Sequence, residues 1–415
     1  MQTAFPHPNL VTPDPHTMRP SGSSTTVLIP TVPVYVYAIV FASVCVVWGL
    51  LWDIMWHLSI GRDGLFAPPH MVIYVGAIVS GLFSGYQILR LTLQKNNHER
   101  AGAVRFWGIF YAPLGAMFCV WGALAMLTSA PFDDWWHNTF GLDVQILTPP
   151  HTILILGIMV LQFGAMVGVL ALQNQIVQTS ANQLTSKTLK VLFAVAAGLV
   201  LCMLFTLLSE TITKSRSHHS TYYVLAAIAF PFYLLAVGRA SKLRYPITTI
   251  AGVYMLAMLI PSWVLPLFPA TPRLGPVLNP ITHYQAFMFP LVLIIPAFFL
   301  DKLMQRFDGS TNSRTLNDWW LAALAGVVFM LALLAVQWPF GEFLHTSSNA
   351  RNWFFLSEAW PYANDPDWKY RYAFSPRRLQ GSSDFLLGFG KAIIYAMLSA
   401  RVGLFWGNWM KRVQR

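Results

Sequence analysis

Charge is what this sequence lacks most. Only 10% of its 415 residues are Asp, Glu, Lys or Arg, against about 25% in a typical soluble domain. Charged residues are also missing from runs of roughly 20 residues that recur along most of the chain. Each such run can cross about 30 Å of hydrocarbon. A soluble all-α protein would show amphipathic stripes instead, but most of these runs are apolar all round. Cysteine is scarce too: Cys45, Cys119 and Cys202 all sit inside apolar runs and form no CxxC pair. They read as packing residues rather than disulfides or ligands. The first 32 residues are polar and rich in Pro, Ser and Thr. They lack the basic-then-apolar order of a signal peptide and read as a flexible tail before a retained first helix. No basic–aromatic platform or DNA-binding motif accompanies the net charge of +11, so nucleic acid is not an expected partner. His-x3-His clusters, His-Glu-x2-His and a Met-x3-Met ladder are absent as well. Their absence argues against a di-iron desaturase-like enzyme, a zinc peptidase of that type and a methionine-lined metal conduit.

What is present points to an all-α, polytopic transmembrane helix bundle. About ten spans are expected, at 33–57, 69–92, 106–130, 150–173, 190–209, 220–240, 245–268, 282–303, 317–339 and 383–408. Pro231 and Pro261 interrupt two of them. Lys and Arg concentrate after the even-numbered spans, at Arg90 to Arg105, Lys187 and Lys190, Arg239 to Arg244, Lys302 to Arg314, and Lys411 to Arg415. By the positive-inside rule both termini are then cytoplasmic. The chain divides into the tail at 1–32, a four-helix region at 33–175, and about six further spans at 190–410 that include a long extracytoplasmic loop at 340–382. The expected setting is a bacterial inner membrane, with the lipid bilayer as partner.

Histidine is distributed unevenly over this topology. Of the 11 histidines, His57, His70, His137, His151, His218, His219, His283 and His345 fall on the extracytoplasmic side, while His98 alone lies in a cytoplasmic loop. Four of the eight belong to an internal repeat. The first copy, DIMWHLSIGRDGLFAPPH, runs from Asp53 to His70, and the second, DDWWHNTFGLDVQILTPPH, from Asp133 to His151. In both, an Asp precedes a His by four residues, another Asp follows that His by six, and Pro-Pro-His closes the unit. An i, i+4 pair shares one helix face. A Pro-Pro pair suits a helix start, so the closing His enters the next span beside the pair. Asp53, His57 and His70 thus form one expected metal triad, and Asp133, His137 and His151 another. Two imidazoles and one carboxylate form a facial donor set with positions left open. Asp63, Asp143 and Asp134 are candidates for outer partners or extra ligands. The competing reading is an interfacial hydrogen-bond network set among Trp52, Trp56, Trp135 and Trp136. Duplication favours the metal reading, because ionisable residues at membrane helix ends are costly unless paired or functional.

These segments resemble the C subunit of the copper membrane monooxygenases, the particulate methane and ammonia monooxygenase family. Its Asp-x3-His-x4-Arg-Asp-x2-Phe-x-Pro-x-His pattern is matched by Asp53, His57, Arg62, Asp63, Phe66, Pro68 and His70. Its later Asn-Asp-Trp-x-His segment, with a His fourteen residues on, is matched by Asp134, Trp135, His137 and His151, with Asp133 in place of the Asn. The likeness covers about residues 33–175. It implies copper at both triads, with iron or zinc as alternatives, and O2 activation to hydroxylate a small substrate. It also implies further monooxygenase-type subunits or a homo-oligomer. The alternative function is a non-catalytic membrane metal-binding or transport protein. In the second half, Glu210, His218, His219, His283, Glu342 and His345 are weaker candidates, for a third metal site or a proton route, against a plain polar cap.

Overall fold

Apolar residues on every face drive these segments into helices whose backbone polar groups are satisfied internally, as a bilayer requires. The computed structural model describes residues 31–61, 64–94, 100, 102–141, 148–176, 183–277, 280–307, 314–356 and 379–414. Its helices are α1 (Val34–Ser59), α2 (Pro68–Leu93), α3 (Leu114–Phe140), α4 (Pro149–Ile176), α5 (Gln183–Leu208), α6 (Ser220–Ala240), α7 (Pro246–Val264), α8 (Ile294–Phe307), α9 (Arg314–Thr346) and α10 (Ser382–Met410). Among the described residues nine are long and apolar enough to cross a membrane. One two-stranded antiparallel hairpin, β1 (Val104–Phe106) and β2 (Phe110–Ala112), precedes α3. The third span therefore starts at Leu114, later than the expected 106, because Gly108 turns the chain with φ +73° and Pro113 then starts the helix. α9, the eighth long helix, runs on to Thr346, so residues 340–346 belong to it rather than to a loop.

α1 to α4 pack as two antiparallel hairpins, α1–α2 and α3–α4, held side by side through α2–α3 and α1–α4 contacts. Gln162 on α4 donates to the Ser43 carbonyl on α1, and Gly168 lies against Ile39. That register puts the end of α1 and the start of α4 at the same end of the bundle. Close approach is built on glycine. A Cβ on Gly49 would stand 2.7 Å from Ile73 Cγ1, and one on Gly122 would stand 2.6 Å from the Gly157 carbonyl. α5 to α10 complete the bundle around a continuous apolar core that includes Phe193, Phe205, Tyr222, Tyr223, Tyr254 and Phe329.

Two irregularities are resolved by side chains. Pro231 removes a backbone donor inside α6, yet the helix continues. There Ser399 of α10 accepts from the Phe232 N–H and donates to the Ile228 carbonyl. The expected span at 282–303 is only half helical. Its helical part, α8, has 14 residues, about 21 Å at 1.5 Å per residue, short of the roughly 30 Å of a hydrocarbon core. Pro290 disfavours helix in the residue before it, and the chain up to Val292 is extended or irregular. Buried side chains satisfy this stretch: Gln285 N–H donates to Ser59 Oγ at 2.7 Å, and Val292 N–H to Gln337 Oε1 at 3.3 Å. Asp301 on α8 then accepts from the Ile247 and Thr248 N–H groups and caps the start of α7 from outside that helix.

Candidate metal centre

Both triads assemble at helix–helix bends at one end of the bundle. In the second, Asp133 and His137 occupy the last two turns of α3, and His151 the first turn of α4. His137 Nε2 lies 3.4 Å from Asp133 Oδ2, and His151 Nε2 lies 3.3 Å from Asp133 Oδ1. The three ligand atoms fall within 4.8 Å of one another. Ligands about 2.0–2.1 Å from a tetrahedral ion stand roughly 3.3–3.4 Å apart, and each Asp133 oxygen stands at that separation from one imidazole nitrogen.

The first triad is built the same way and is more open. His70 Nε2 lies 3.2 Å from Asp53 Oδ1, while His57 Nε2 lies 3.9 Å from the same oxygen, with 47% of its side chain exposed. Its three ligand atoms do not close to the spacing of the second triad, so His57 would have to swing inward to share an ion with the other two.

Hydrogen bonding fixes which ring nitrogen can act as ligand. His70 Nδ1 lies 3.0 Å from the Gly64 carbonyl, and His137 Nδ1 lies 3.3 Å from the Gly141 carbonyl. A carbonyl can only accept, so each Nδ1 carries the proton. Each Nε2 of the neutral ring then points a lone pair at a carboxylate. Two acceptors facing each other at 3.2–3.4 Å require a cation or a proton between them. A carbonyl on Nδ1–H with Nε2 as donor atom is the usual outer arrangement of a metal-bound histidine. Gly141 serves twice. Its backbone, at φ 90° and ψ 176°, lies where L residues are strained, and it turns the chain out of α3 while aiming its carbonyl at His137.

The remaining candidates separate. Asp134 points away from the triad and accepts from Asn138 at 3.2 Å. Asp63 and Asp143 lie outside the described residues. His219 caps α6, its Nδ1 accepting from the Thr221 N–H. His283 bonds Thr282 Oγ1 through Nδ1, in the strip that crosses the end of α1. Glu210 is exposed beyond α5. His218 is fully buried with Nε2 3.4 Å from Glu342 Oε2 on α9, and His345 lies one turn further along, near Lys214. Among the described residues the triad at Asp133 is the one group of three that closes to metal-ligand spacing.

One neighbour of the first triad is not evident from the sequence. A strip made of residues 269–277 and 280–285 docks on the last turn of α1, with Arg273 N–H on the Ile60 carbonyl, Tyr284 against Trp56 at 6.3 Å between ring centroids, and Ser59 Oγ bridging the Met55 carbonyl and the Gln285 N–H. The second half of the chain thereby braces the helix turn that carries His57.

No family model matches the chain, and neither a curated protein nor a solved structure matches it.

Proposed function

We propose that this chain is a copper-dependent membrane monooxygenase-like protein, or a subunit of one, which uses Asp/His-ligated metal to activate O2 for hydroxylation of a small substrate. The observation that carries the reading is the closure of Asp133, His137 and His151 to within 4.8 Å. Its support comes from the fixed tautomer of His137 and from the repetition of the motif at Asp53, His57 and His70. Two imidazoles and a carboxylate leave positions free for oxygen or substrate. Copper bound there would supply the binding position for O2 and would pass on the electrons that an external reductant must provide. The chain's own part is to keep Nδ1 protonated on the Gly64 and Gly141 carbonyls, to present Nε2, and to balance cationic charge with Asp53 and Asp133.

The positive-inside pattern supports an extracytoplasmic location for this end of the bundle and cytoplasmic termini, and the membrane proposed is a bacterial inner membrane. Further monooxygenase-type subunits or a second copy of the chain are the proposed partners in the bilayer.

Metal analysis of the purified membrane protein, with Cu(II) spectroscopy and oxygen consumption, tests the proposal. We expect one copper per triad, and one fewer in His137→Ala, with oxygen-dependent turnover lost. Lower pH weakens loading, because protons compete for imidazole nitrogens. Copper retained in full by both His57→Ala and His137→Ala ends the metal reading. Metal uptake into vesicles with no oxygen consumption favours the non-catalytic metal-binding or transport function instead, and iron or zinc in the purified protein would replace copper in the assignment.

A further inference from the structure

At the end of the bundle opposite the triads, the turn between α6 and α7 is fastened to α8. Gln305 Nε2 donates to the Arg244 carbonyl at 2.8 Å, and Lys302 Nζ donates to Tyr245 Oη at 3.2 Å. Asp301 accepts from the Ile247 N–H at 3.1 Å, and from the Thr248 N–H and Oγ1 at 2.7 Å each. Side chains of one helix thus hold the turn in place on both sides of Pro246.

Two cations converge on Tyr245 as a result. Lys302 Nζ lies 5.2 Å from the centroid of its ring, and Arg244 Cζ lies 5.5 Å from it. Asp301, the carboxylate beside them, is turned to the start of α7 and serves as its cap. Among the described residues neither cation forms an ion pair with a carboxylate. Both side chains belong to exposed residues. A lysine at a membrane helix end ordinarily snorkels through many rotamers. Here a phenol holds the ammonium and leaves it two further N–H donors. Two positioned cations suit a single anion with several oxygens, such as a phosphate, which charge-assisted hydrogen bonds recognise.

Below the cations the surface is apolar. Lys302 continues a stripe formed by Ile295, Phe298 and Phe299, at the i, i+3, i+4, i+7 spacing of one helix face, and all three apolar side chains are exposed. Phe298 stacks on Tyr245 at 6.4 Å between ring centroids, so the stripe meets the cations without a break. The rise from Ile295 to Lys302 is about 10 Å, within the roughly 15 Å of hydrocarbon in one leaflet.

We infer that this face binds one anionic phospholipid: Arg244 and Lys302 hold its phosphate, and its acyl chains lie along Ile295, Phe298 and Phe299. An ion free in water uses the cations and not the stripe. A zwitterionic lipid brings a positive charge of its own against them. The occupant that satisfies both parts is an amphiphile of net negative charge. Loop charge supports a cytoplasmic location for this end of the bundle, where anionic lipids attract cations next to the membrane. The bound phosphate offsets the repulsion between the two cations and so secures the α6–α7 turn on α8. This inference is independent of the metal reading.

The test uses the full chain in nanodiscs of mixed phosphatidylglycerol and phosphatidylcholine, released into detergent, with bound lipid counted by native mass spectrometry. The wild type should retain phosphatidylglycerol over phosphatidylcholine by roughly tenfold, the scale that two cations supply at an anionic surface. Arg244→Gln/Lys302→Gln should lose that preference. Lys187→Gln/Lys190→Gln, which removes the same charge from another loop at this end, should keep it. Thermal unfolding gives a second readout. Phosphatidylglycerol should raise the midpoint above that in phosphatidylcholine for the wild type and the Lys187/Lys190 variant, and not for Arg244→Gln/Lys302→Gln. Equal retention of the two lipids by the wild type overturns the inference. An equal loss in both double variants overturns it too, because that outcome marks general attraction to surface charge. So does a dimer that carries no phospholipid, which gives the face to a second copy of the chain. Should Arg244→Gln/Lys302→Gln not fold, Lys302→Gln takes its place, with a partial loss of preference expected and an unchanged preference fatal.

Discussion

At the scale of single residues, the chemistry of this chain depends on which atoms are left able to bind. His137 has two ring nitrogens, and the Gly141 carbonyl occupies one of them, which is why the other is a donor atom aimed at Asp133. Glycine is required at 141 by conformation alone: φ is 90° there, and an added Cβ would meet nothing within 4 Å. Gly141→Ala therefore isolates backbone strain from crowding. Forcing a side chain into this region costs on the order of 1–3 kcal/mol, or swings the carbonyl off His137. Metal titration of the variant should show weaker binding at the second triad, with the first triad unchanged. The same reasoning separates Asp133 from its neighbour. Asp134 is adjacent in sequence but points the other way, to Asn138.

At the scale of elements, each triad is a property of a hairpin rather than of a helix. His70 reaches Asp53 because α2 can lie against α1, and α2 can do so because Gly49 has no side chain where Ile73 and the Pro69 carbonyl approach. Gly49→Leu places atoms into that contact one turn from Asp53. Overpacking of this kind costs roughly 1–3 kcal/mol, and the cheapest relief is to splay the two helices. The expected outcome is loss of metal from the first triad with the second retained, read as metal per chain and by Cu(II) spectroscopy. Gly122→Leu, at the α3–α4 crossing, should give the converse pattern.

At the scale of the molecule, the two halves are joined at the metal end, and the helices of the second half are locked to one another at the opposite end. At the metal end, Ser59 binds the Gln285 backbone and Tyr284 packs on Trp56. At the opposite end, Arg239 on α6 pairs with Asp318 on α9 at 2.6 Å, and Asn408 on α10 donates to the second Asp318 oxygen. Both partners of the ion pair are about nine-tenths buried. Removing one partner of such a pair strands the other charge and typically costs about 3–5 kcal/mol. Arg239→Ala should lower the thermal unfolding midpoint markedly, while metal content per folded chain stays at the wild-type value. Because Asp318 would be left without its cation, Arg239→Ala/Asp318→Asn should recover part of the loss in the same melt.

The sequence alone determines the membrane-spanning helical character, because uncharged runs of membrane length leave the backbone few alternatives. It also determines the identity of both triads, because an i, i+4 pair and a Pro-Pro-His helix start set what each hairpin can present. It does not determine how closely each triad closes, since 3.4 Å at His137 and 3.9 Å at His57 arise from the same Asp-x3-His spacing. It does not determine the half-helical course of 282–303 either, because hydropathy is the same for an apolar helix and for an apolar extended strip buried among partners. Those outcomes, with the docking of that strip on α1 and the pairing of His218 with Glu342 across 124 residues, belong to the tertiary structure. They depend on how near two backbones come and on which distant side chain supplies a missing hydrogen bond, and neither quantity is carried by residues close together in the chain.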